Sequence, residues 1–298
     1  MKRTQKQIRE EVTQKMLAAL TAEIPPWRQP WNGGAGLTAP CCFYNHRHYQ
    51  GINPLLLLFS SMTSGFTSPH WGTANAWKER AGARVRKGAV PTHVVLYVPV
   101  PIKENGQNKK NPKGEDILFP LLREYAVYNA DQVEGGSVDK YRVTLQVRNT
   151  EPNFAPAEAL IEATNAEIVH QGLRACYERD SDRILVPPKN TFESMADYYE
   201  TVFHELGHWT EHPKRVGQKK GHEYAFGELV AEISACILLL EIGVPMADKM
   251  LESSKGYVKV WAERMGNDPR YILDAAAQAS KAVKYILAFQ PKKKKCAA

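Results

Sequence analysis

Two histidines four residues apart, with a glutamate directly after the first, form the pattern in this sequence that is most suited to chemistry. They are His204 and His208, with Glu205, in the segment "TVFHELGHW". Residues four apart lie on one face of a helix, so both imidazoles can reach one ion. Glu205 can accept a proton from a water bound to that ion. The pattern predicts a zinc site with hydrolytic chemistry and Glu205 as the catalytic base.

A catalytic zinc site needs a third protein ligand and an open fourth position. One usual placement is a histidine six residues after the second, but Lys214 occupies that position. The other is a glutamate on the next helix, where "GELVAEISACILLL" offers Glu228 and Glu232. We assign Glu228 as the metal ligand and Glu232 as the carboxylate that orients a ligand histidine. The reverse assignment stays open.

Both predicted helices that carry these polar groups are otherwise apolar. Burying unpaired carboxylates costs several kcal/mol each, and a bound cation removes that cost. The composition therefore favours a metal site over histidines packed in a core. Zn²⁺ is the expected cofactor, and another divalent ion such as Mn²⁺ is the alternative. Tyr224 and His222 are candidates for stabilising the oxyanion of the transition state, because both lie close to Glu228 in the sequence.

The first half of the chain is basic and rich in aromatic residues. Residues 1–150 carry 20 Lys and Arg against 11 Asp and Glu, a net +9, whereas residues 151–298 carry 19 against 21, a net −2. Binding of single-stranded nucleic acid needs cations for phosphates and flat rings for bases. The alternative for each ring is packing in the core. The candidate DNA-binding residues are Arg47, Tyr49, Trp71, Arg84, Arg86 and Lys87.

The hydrophobic pattern predicts an α+β protein of two domains, with bounds of 1–135 and 156–298 and a linker over 136–155. Apolar residues at every fourth position predict an amphipathic helix over 4–22. "THVVLYVPV" and "LREYAVYNADQV" predict two paired strands joined by a polar hairpin. The second domain is expected to be mainly helical with a small sheet, and helices over 193–211 and 224–243 carry the metal site.

Cysteine usage and hydropathy predict a reduced, cytoplasmic protein. The five cysteines form no C-x-x-C pair, so we expect no cysteine metal site. No apolar run approaches the length of a membrane span, and the basic N-terminus is not followed by the apolar region of an export signal. We therefore expect no membrane partner.

Several segments of the chain are shared with one known family. In the first half they are "PPWRQPW", "YQGINPLLL", "GFTSPHWGT", "GARVRKG" and "YAVYNADQVEG"; in the second they are "DRILVPP", "YYETVFHELGHWTEHPKR", "YAFGELVAEISACIL" and "PRYILDAAAQASKAVKYIL". Through them, nearly the whole chain resembles the ArdC-type antirestriction proteins of conjugative plasmids. The resemblance implies an N-terminal domain that binds single-stranded DNA and a C-terminal zincin-like metallopeptidase domain. It also implies protection of incoming DNA from host restriction during conjugation.

Two other functions are compatible with the same residues. In one, the chain is a metallopeptidase whose basic half recruits an acidic or DNA-bound protein substrate. In the other, it is a binding protein whose metal only stabilises the fold. The expected partners are thus single-stranded DNA and, if the peptidase is active, a protein substrate on DNA.

Overall fold

The computed structural model describes residues 3–21, 39–142, 154–218, 223–244 and 256–290. The predicted α+β fold class is confirmed. The helices are α1 (Gln5–Thr21), α2 (Asn53–Ser64), α3 (Ala74–Ala81), α4 (Ala155–Thr164), α5 (Met195–Trp209), α6 (Tyr224–Ile242), α7 (Val258–Asn267) and α8 (Tyr271–Leu287). The strands are β1 (Cys41–Cys42), β2 (His70–Gly72), β3 (Arg84–Val85), β4 (Thr92–Pro101), β5 (Lys103–Glu104), β6 (Gln107–Asn108), β7 (Leu118–Asn129), β8 (Val133–Glu134), β9 (Glu167–His170), β10 (Cys176–Glu178) and β11 (Arg183–Val186).

The first half of the chain is built on a sheet with the strand order β1-β2-β7-β4. Strands β4 and β7 form a long antiparallel ribbon, from the pair Thr92↔Val127 to the pair Pro101↔Leu118. The predicted pairing of these two segments is confirmed, and the polar residues between them form the β5–β6 hairpin. Strand β1 lies parallel to β2, which places Cys41 beside His70. The β3–β8 pair forms a separate two-stranded sheet.

Helix α3 is shorter than its hydrophobic pattern predicts. The segment "GTANAWKERAGARV" predicts a single helix, but α3 ends at Ala81. Gly82 adopts a left-handed conformation with a φ of 62°, and its backbone N–H caps the helix end. A glycine in this conformation is a common helix stop, because it has no Cβ to clash. The chain then enters β3, so Arg84 and Arg86 lie beside β8 rather than on a helix.

The second half of the chain packs helices against a small sheet of order β10-β11-β9. Strand β11 runs parallel to β9 and antiparallel to β10. Helix α5 begins after Ser194, whose hydroxyl accepts a hydrogen bond from the Asp197 backbone N–H at 3.2 Å. It ends at Trp209, two residues before the predicted bound. Helix α6 ends at Ile242, one residue before the predicted bound, and Gly243 caps it with a φ of 69°.

The two halves share one apolar core. Ile8 and Met16 of α1 are buried, as the four-residue spacing predicts, and they belong to the same cluster as Leu206 of α5 and Ile286 of α8. The Thr13 hydroxyl donates a hydrogen bond to the Pro269 carbonyl at 3.0 Å. An ion pair also joins His48 to Glu241 of α6. The first half therefore packs against α7 and α8 and contacts α6 through Glu241.

The predicted linker lies largely in residues 143–153, outside the described residues, and the domain bounds stay a prediction. Among the described helices, none is long and apolar enough to cross a membrane.

Candidate metal centre

The structure brings His204, His208 and Glu228 together on the facing sides of α5 and α6. The Nε2 atoms of the two histidines are 3.2 Å apart. The Glu228 carboxylate lies 3.5 Å from His204 Nε2 and 3.3 Å from His208 Nε2. Two ligands bound about 2.1 Å from a tetrahedral ion are separated by roughly 3.4 Å. The three donor groups therefore have the spacing of ligands around one divalent cation.

Burial and donor chemistry also fit a cation at this point. His204 and Glu228 are each 3% exposed and are surrounded by the apolar residues of the two helices. Two imidazoles and one carboxylate are a usual ligand set for catalytic zinc, with the fourth position open to solvent. A cation among these groups offsets the cost of burying the carboxylates Glu205, Glu228 and Glu232. We therefore take the residues present to be suited to a divalent ion.

A carboxylate lies behind each imidazole. Glu232 Oε1 is 3.9 Å from His204 Nδ1, and Glu211 Oε1 is 3.3 Å from His208 Nδ1. Carboxylates in this position orient a ligand imidazole and increase its basicity. Thus Glu228, rather than Glu232, lies beside the Nε2 atoms of both histidines. Glu211 was missed, although its position three residues after His208 was a usable signal.

Replacing Glu211 with alanine (Glu211→Ala) tests this positioning role. We expect the affinity for Zn²⁺ to fall about 10–100-fold, because His208 loses the carboxylate that holds its ring. The measurement is a competition titration of metal-free protein against a chelating indicator. Glu162→Ala, which removes an exposed glutamate from α4, is the matched control and should leave the affinity unchanged. An equal affinity in both variants would contradict the role of Glu211.

The pKa values of the two carboxylates nearest the centre, Glu205 and Glu228, shift in opposite directions. Burial raises the pKa of Glu205 above its ordinary range. Glu228 is also buried, but its hydrogen bonds with His204 and His208 hold its pKa well below that range. A buried carboxylate with a raised pKa is suited to accept a proton near neutral pH, whereas one held as an anion is suited to bind a cation. The raised pKa of Glu205 is thus suited to a base, and the lowered pKa of Glu228 is suited to a metal ligand.

An open cleft of about 810 Å³ leads to the metal centre. Glu205, His204 and His208 line its floor, and Arg174 and Arg179 are among the residues of its wall. A cleft of this size accommodates a few residues of a polypeptide. The centre is thus reachable by a substrate larger than water.

Tyr224 lies at the mouth of the cleft. Its ring is 72% exposed. Desolvation and a hydrogen bond with Glu228 raise the pKa of the Tyr224 phenol. Tyr224 is therefore largely exposed, with its hydroxyl close to Glu228. The other predicted oxyanion stabiliser, His222, lies outside the described residues.

Four of the predicted DNA-binding residues are exposed: Arg47, Arg84, Arg86 and Lys87. Tyr49 is half-buried and packs against the apolar cluster that contains Trp71. Trp71 itself is 0% exposed, enclosed by Leu57, Val94 and Val127. The prediction that Trp71 binds DNA is wrong in this conformation, because no face of its ring is open to a base.

Two features of the basic surface were not visible in the sequence. Glu134 of β8 accepts a hydrogen bond from Arg84 Nε at 2.9 Å and lies 3.9 Å from Arg86 Nε, so it offsets part of their charge. Tyr44, which is 43% exposed, lies under the Arg80 guanidinium with 4.5 Å between the group and the ring centroid. Long-range contacts create both arrangements, so local spacing gives no signal for them.

The comparisons with known proteins match both halves of the chain. Residues 6–128 match the family model described as the N-terminal domain of anti-restriction factor ArdC. Residues 155–278 match the model described as a zincin-like metallopeptidase. The metal-free crystal structure of the antirestriction ArdC protein from the R388 plasmid is 32% identical, with a TM-score of 0.78, over 95% of this chain and 97% of that one. Its Mn(II)-bound structure is 30% identical, with a TM-score of 0.73, over 96% and 99%.

Curated relatives include longer proteins. Two Escherichia coli proteins named DNA primase TraC are 31% and 30% identical over 98% and 96% of this chain. The chain spans 28% and 20% of their respective lengths. An uncharacterised Sinorhizobium fredii protein, y4eC, is 25% identical over 95% of this chain and 92% of its own length.

Proposed function

Because the chain belongs to the ArdC family of antirestriction proteins, we propose that it binds single-stranded DNA and protects it from host restriction during conjugation. We further propose that its second half is a metal-dependent peptidase. The observation that carries the peptidase proposal is the triangle of donor groups, 3.2–3.5 Å on each side, at the floor of an open cleft. The protein would act in the cytoplasm of the recipient or donor bacterium.

The peptidase chemistry follows from the positions of the residues. His204, His208 and Glu228 would hold Zn²⁺, or Mn²⁺, the ion bound in one structure of the relative from R388. A divalent cation bound there supplies a water of lowered pKa and polarises a substrate carbonyl. Glu205 then accepts a proton and transfers it to the leaving amine. The Tyr224 hydroxyl is placed to donate a hydrogen bond to the developing oxyanion.

The DNA-binding proposal rests on exposed positive charge in the first half. Arg47, Arg84, Arg86 and Lys87 face solvent, and Tyr44 offers an exposed ring beside Arg80. A combination of cations and accessible rings binds single strands without reading the base sequence. That mode suits a protein that must protect any DNA strand entering the cell.

Neutralising the cluster at β3 tests this surface. We expect Arg84→Gln, Arg86→Gln and Lys87→Gln together to weaken binding to a single-stranded oligonucleotide, because fewer counterions are released. The slope of log K against log salt should fall by about 2 units, at roughly 0.7 per phosphate contact. The measurement is fluorescence anisotropy at several salt concentrations. A matched variant with Lys109, Lys110 and Lys113 changed to Gln should have a smaller effect, and equal slopes would contradict the placement of the site.

The family function itself is tested by measuring oligonucleotide binding and metal content on one preparation. We expect tight, salt-sensitive binding to single-stranded DNA together with a bound divalent ion. Failure to bind DNA would overturn the antirestriction proposal, whereas failure to retain a divalent ion would overturn the peptidase proposal.

A second candidate function is cleavage of an acidic or DNA-bound protein. Arg174 and Arg179 in the wall of the cleft favour it, because they would attract acidic side chains next to Glu205. Measuring the affinity of the chain for an acidic polypeptide and for a labelled oligonucleotide distinguishes this function from DNA binding. If the polypeptide binds and the oligonucleotide does not, the basic half recruits a protein substrate.

A further inference from the structure

A second group of metal-ligating side chains lies in the first half of the chain. Cys41 Sγ, one ring nitrogen of His46 and one of His70 all lie within 4.8 Å of one another. None of these residues takes part in the centre built by α5 and α6. We propose that Cys41, His46 and His70 bind a Zn²⁺ ion as a second metal site.

The backbone places the three side chains together. Cys41 of β1 is paired in parallel with His70 of β2, so the two side chains leave the sheet beside each other on the same face. Cys41 is also bridged to His48 in an antiparallel pair, and the chain between them forms a tight turn. His46 lies in that turn with a φ of 54°, a left-handed conformation. The turn thereby brings His46 back over the sheet.

The hydrogen bonding of His70 leaves one ring nitrogen available to a metal. Its Nδ1 lies 3.1 Å from the Tyr141 carbonyl, which can only accept a hydrogen bond. In a neutral imidazole this makes Nδ1 the donor and leaves the lone pair on Nε2 free for a metal. A ligand histidine usually donates its second ring nitrogen to a carbonyl or carboxylate in this way.

The donor set selects the ion. A thiolate with two imidazoles suits Zn²⁺, whereas the histidine–carboxylate set of α5 and α6 also suits harder ions such as Mn²⁺. Ligands around a tetrahedral zinc are roughly 3.4–3.7 Å apart. Rotation of His46, whose side chain is exposed, would shorten its own distances to the other two donor atoms, all of which lie within 4.8 Å.

Cys41 lies on the buried side of the proposed site. The residue is 5% exposed, and burial raises the pKa of its thiol to about 11. A bound cation must therefore displace the thiol proton. His46 lies on the solvent side, so an ion has a route of entry. An ion bound by His46 would also fix the turn that carries Arg47.

The probe is Co²⁺, titrated into the full chain after metal removal in a thiol-free reductant. Thiolate ligation gives a charge-transfer absorption that a histidine–carboxylate site cannot produce. We expect this absorption to appear, with about two ions bound per chain. Cys41→Ser should abolish the absorption and lower the stoichiometry to about one ion. His46→Gly removes a ligand where the backbone favours glycine, and should weaken this site at least about tenfold.

Two matched variants make the result specific to Cys41. Cys42→Ser removes the neighbouring thiol, and Cys176→Ser removes the thiol that lines the cleft of the first centre. Both should retain the absorption. If the absorption never appears, persists in Cys41→Ser, or disappears in Cys176→Ser, the second site is overturned. If Cys41→Ser fails to fold, His46→Gly decides, and unchanged affinity in that variant also overturns the proposal.

Discussion

Replacing Glu205 with glutamine (Glu205→Gln) is expected to lower the rate of peptide hydrolysis by about 10²–10⁴-fold. The amide has nearly the same shape as the carboxylate but cannot accept the proton. Glu205 is 7% exposed and lines the cleft, while the donor triangle is formed by other residues. Metal content and affinity for single-stranded DNA should therefore stay at the native level.

The measurement combines three readouts on the native chain and the variant. Hydrolysis is followed on a library of peptides, metal content by elemental analysis, and DNA affinity by anisotropy. Glu193→Gln, an exposed glutamate just before α5, is the matched control and should keep native activity. Hydrolysis that survives in Glu205→Gln would exclude this residue as the base.

Glu205→Gln also distinguishes the hypothesis of an active peptidase from that of a metal that only stabilises the fold. If the metal only stabilises the fold, His204→Ala should lower the free energy of unfolding while Glu205→Gln has no effect on protection of DNA in conjugation. If proteolysis is needed for protection, Glu205→Gln should abolish it. If the native chain cleaves no peptide, and the native chain and Glu205→Gln protect DNA equally well, the metal has only a structural role.

Features that depend on local periodicity were predictable from the sequence. The four-residue spacing in α1 and the apolar runs of α5 and α6 correspond to buried helix faces in the structure. The alternation in β4 and β7 predicts paired strands, and β4 pairs with β7 over its whole length. The spacing of His204 and His208 was sufficient to place both rings at one point, because a helix fixes the geometry of residues four apart.

Features that depend on contacts between distant segments were not predictable. Trp71 looks like an accessible ring beside basic residues, yet Leu57 of α2, Val94 of β4 and Val127 of β7 enclose it. The charge of Arg84 is offset by Glu134, which is fifty residues away and reaches it only through the β3–β8 pair. Cys41 lacks any cysteine partner at metal-binding spacing, and only the parallel pairing of β1 with β2 places it beside His70.

The close approach of α5 to α6 predicts a large effect of a single methyl group at the level of the metal centre. A Cβ on Gly207 would lie 2.9 Å from Ala231 Cα and 3.2 Å from Ala231 Cβ. Gly207 lies between His204 and His208, and Ala231 lies one turn after Glu228. Gly207→Ala should therefore push the two helices apart at the level of the metal centre. We expect a loss of about 1–3 kcal/mol in the free energy of unfolding, because the contact involves backbone that cannot rotate away.

Gly266→Ala is the matched control for this substitution. Gly266 lies in α7, and a Cβ there would meet nothing within 4 Å. Alanine favours the helix over glycine, so this variant should be more stable by up to about 1 kcal/mol. Chemical denaturation should show a lower free energy of unfolding for Gly207→Ala and a higher one for Gly266→Ala. A titration with Zn²⁺ should show weaker binding in Gly207→Ala alone. If both variants are stabilised, the helices are not in contact at Gly207, and the geometry of the donor triangle that depends on this contact is wrong.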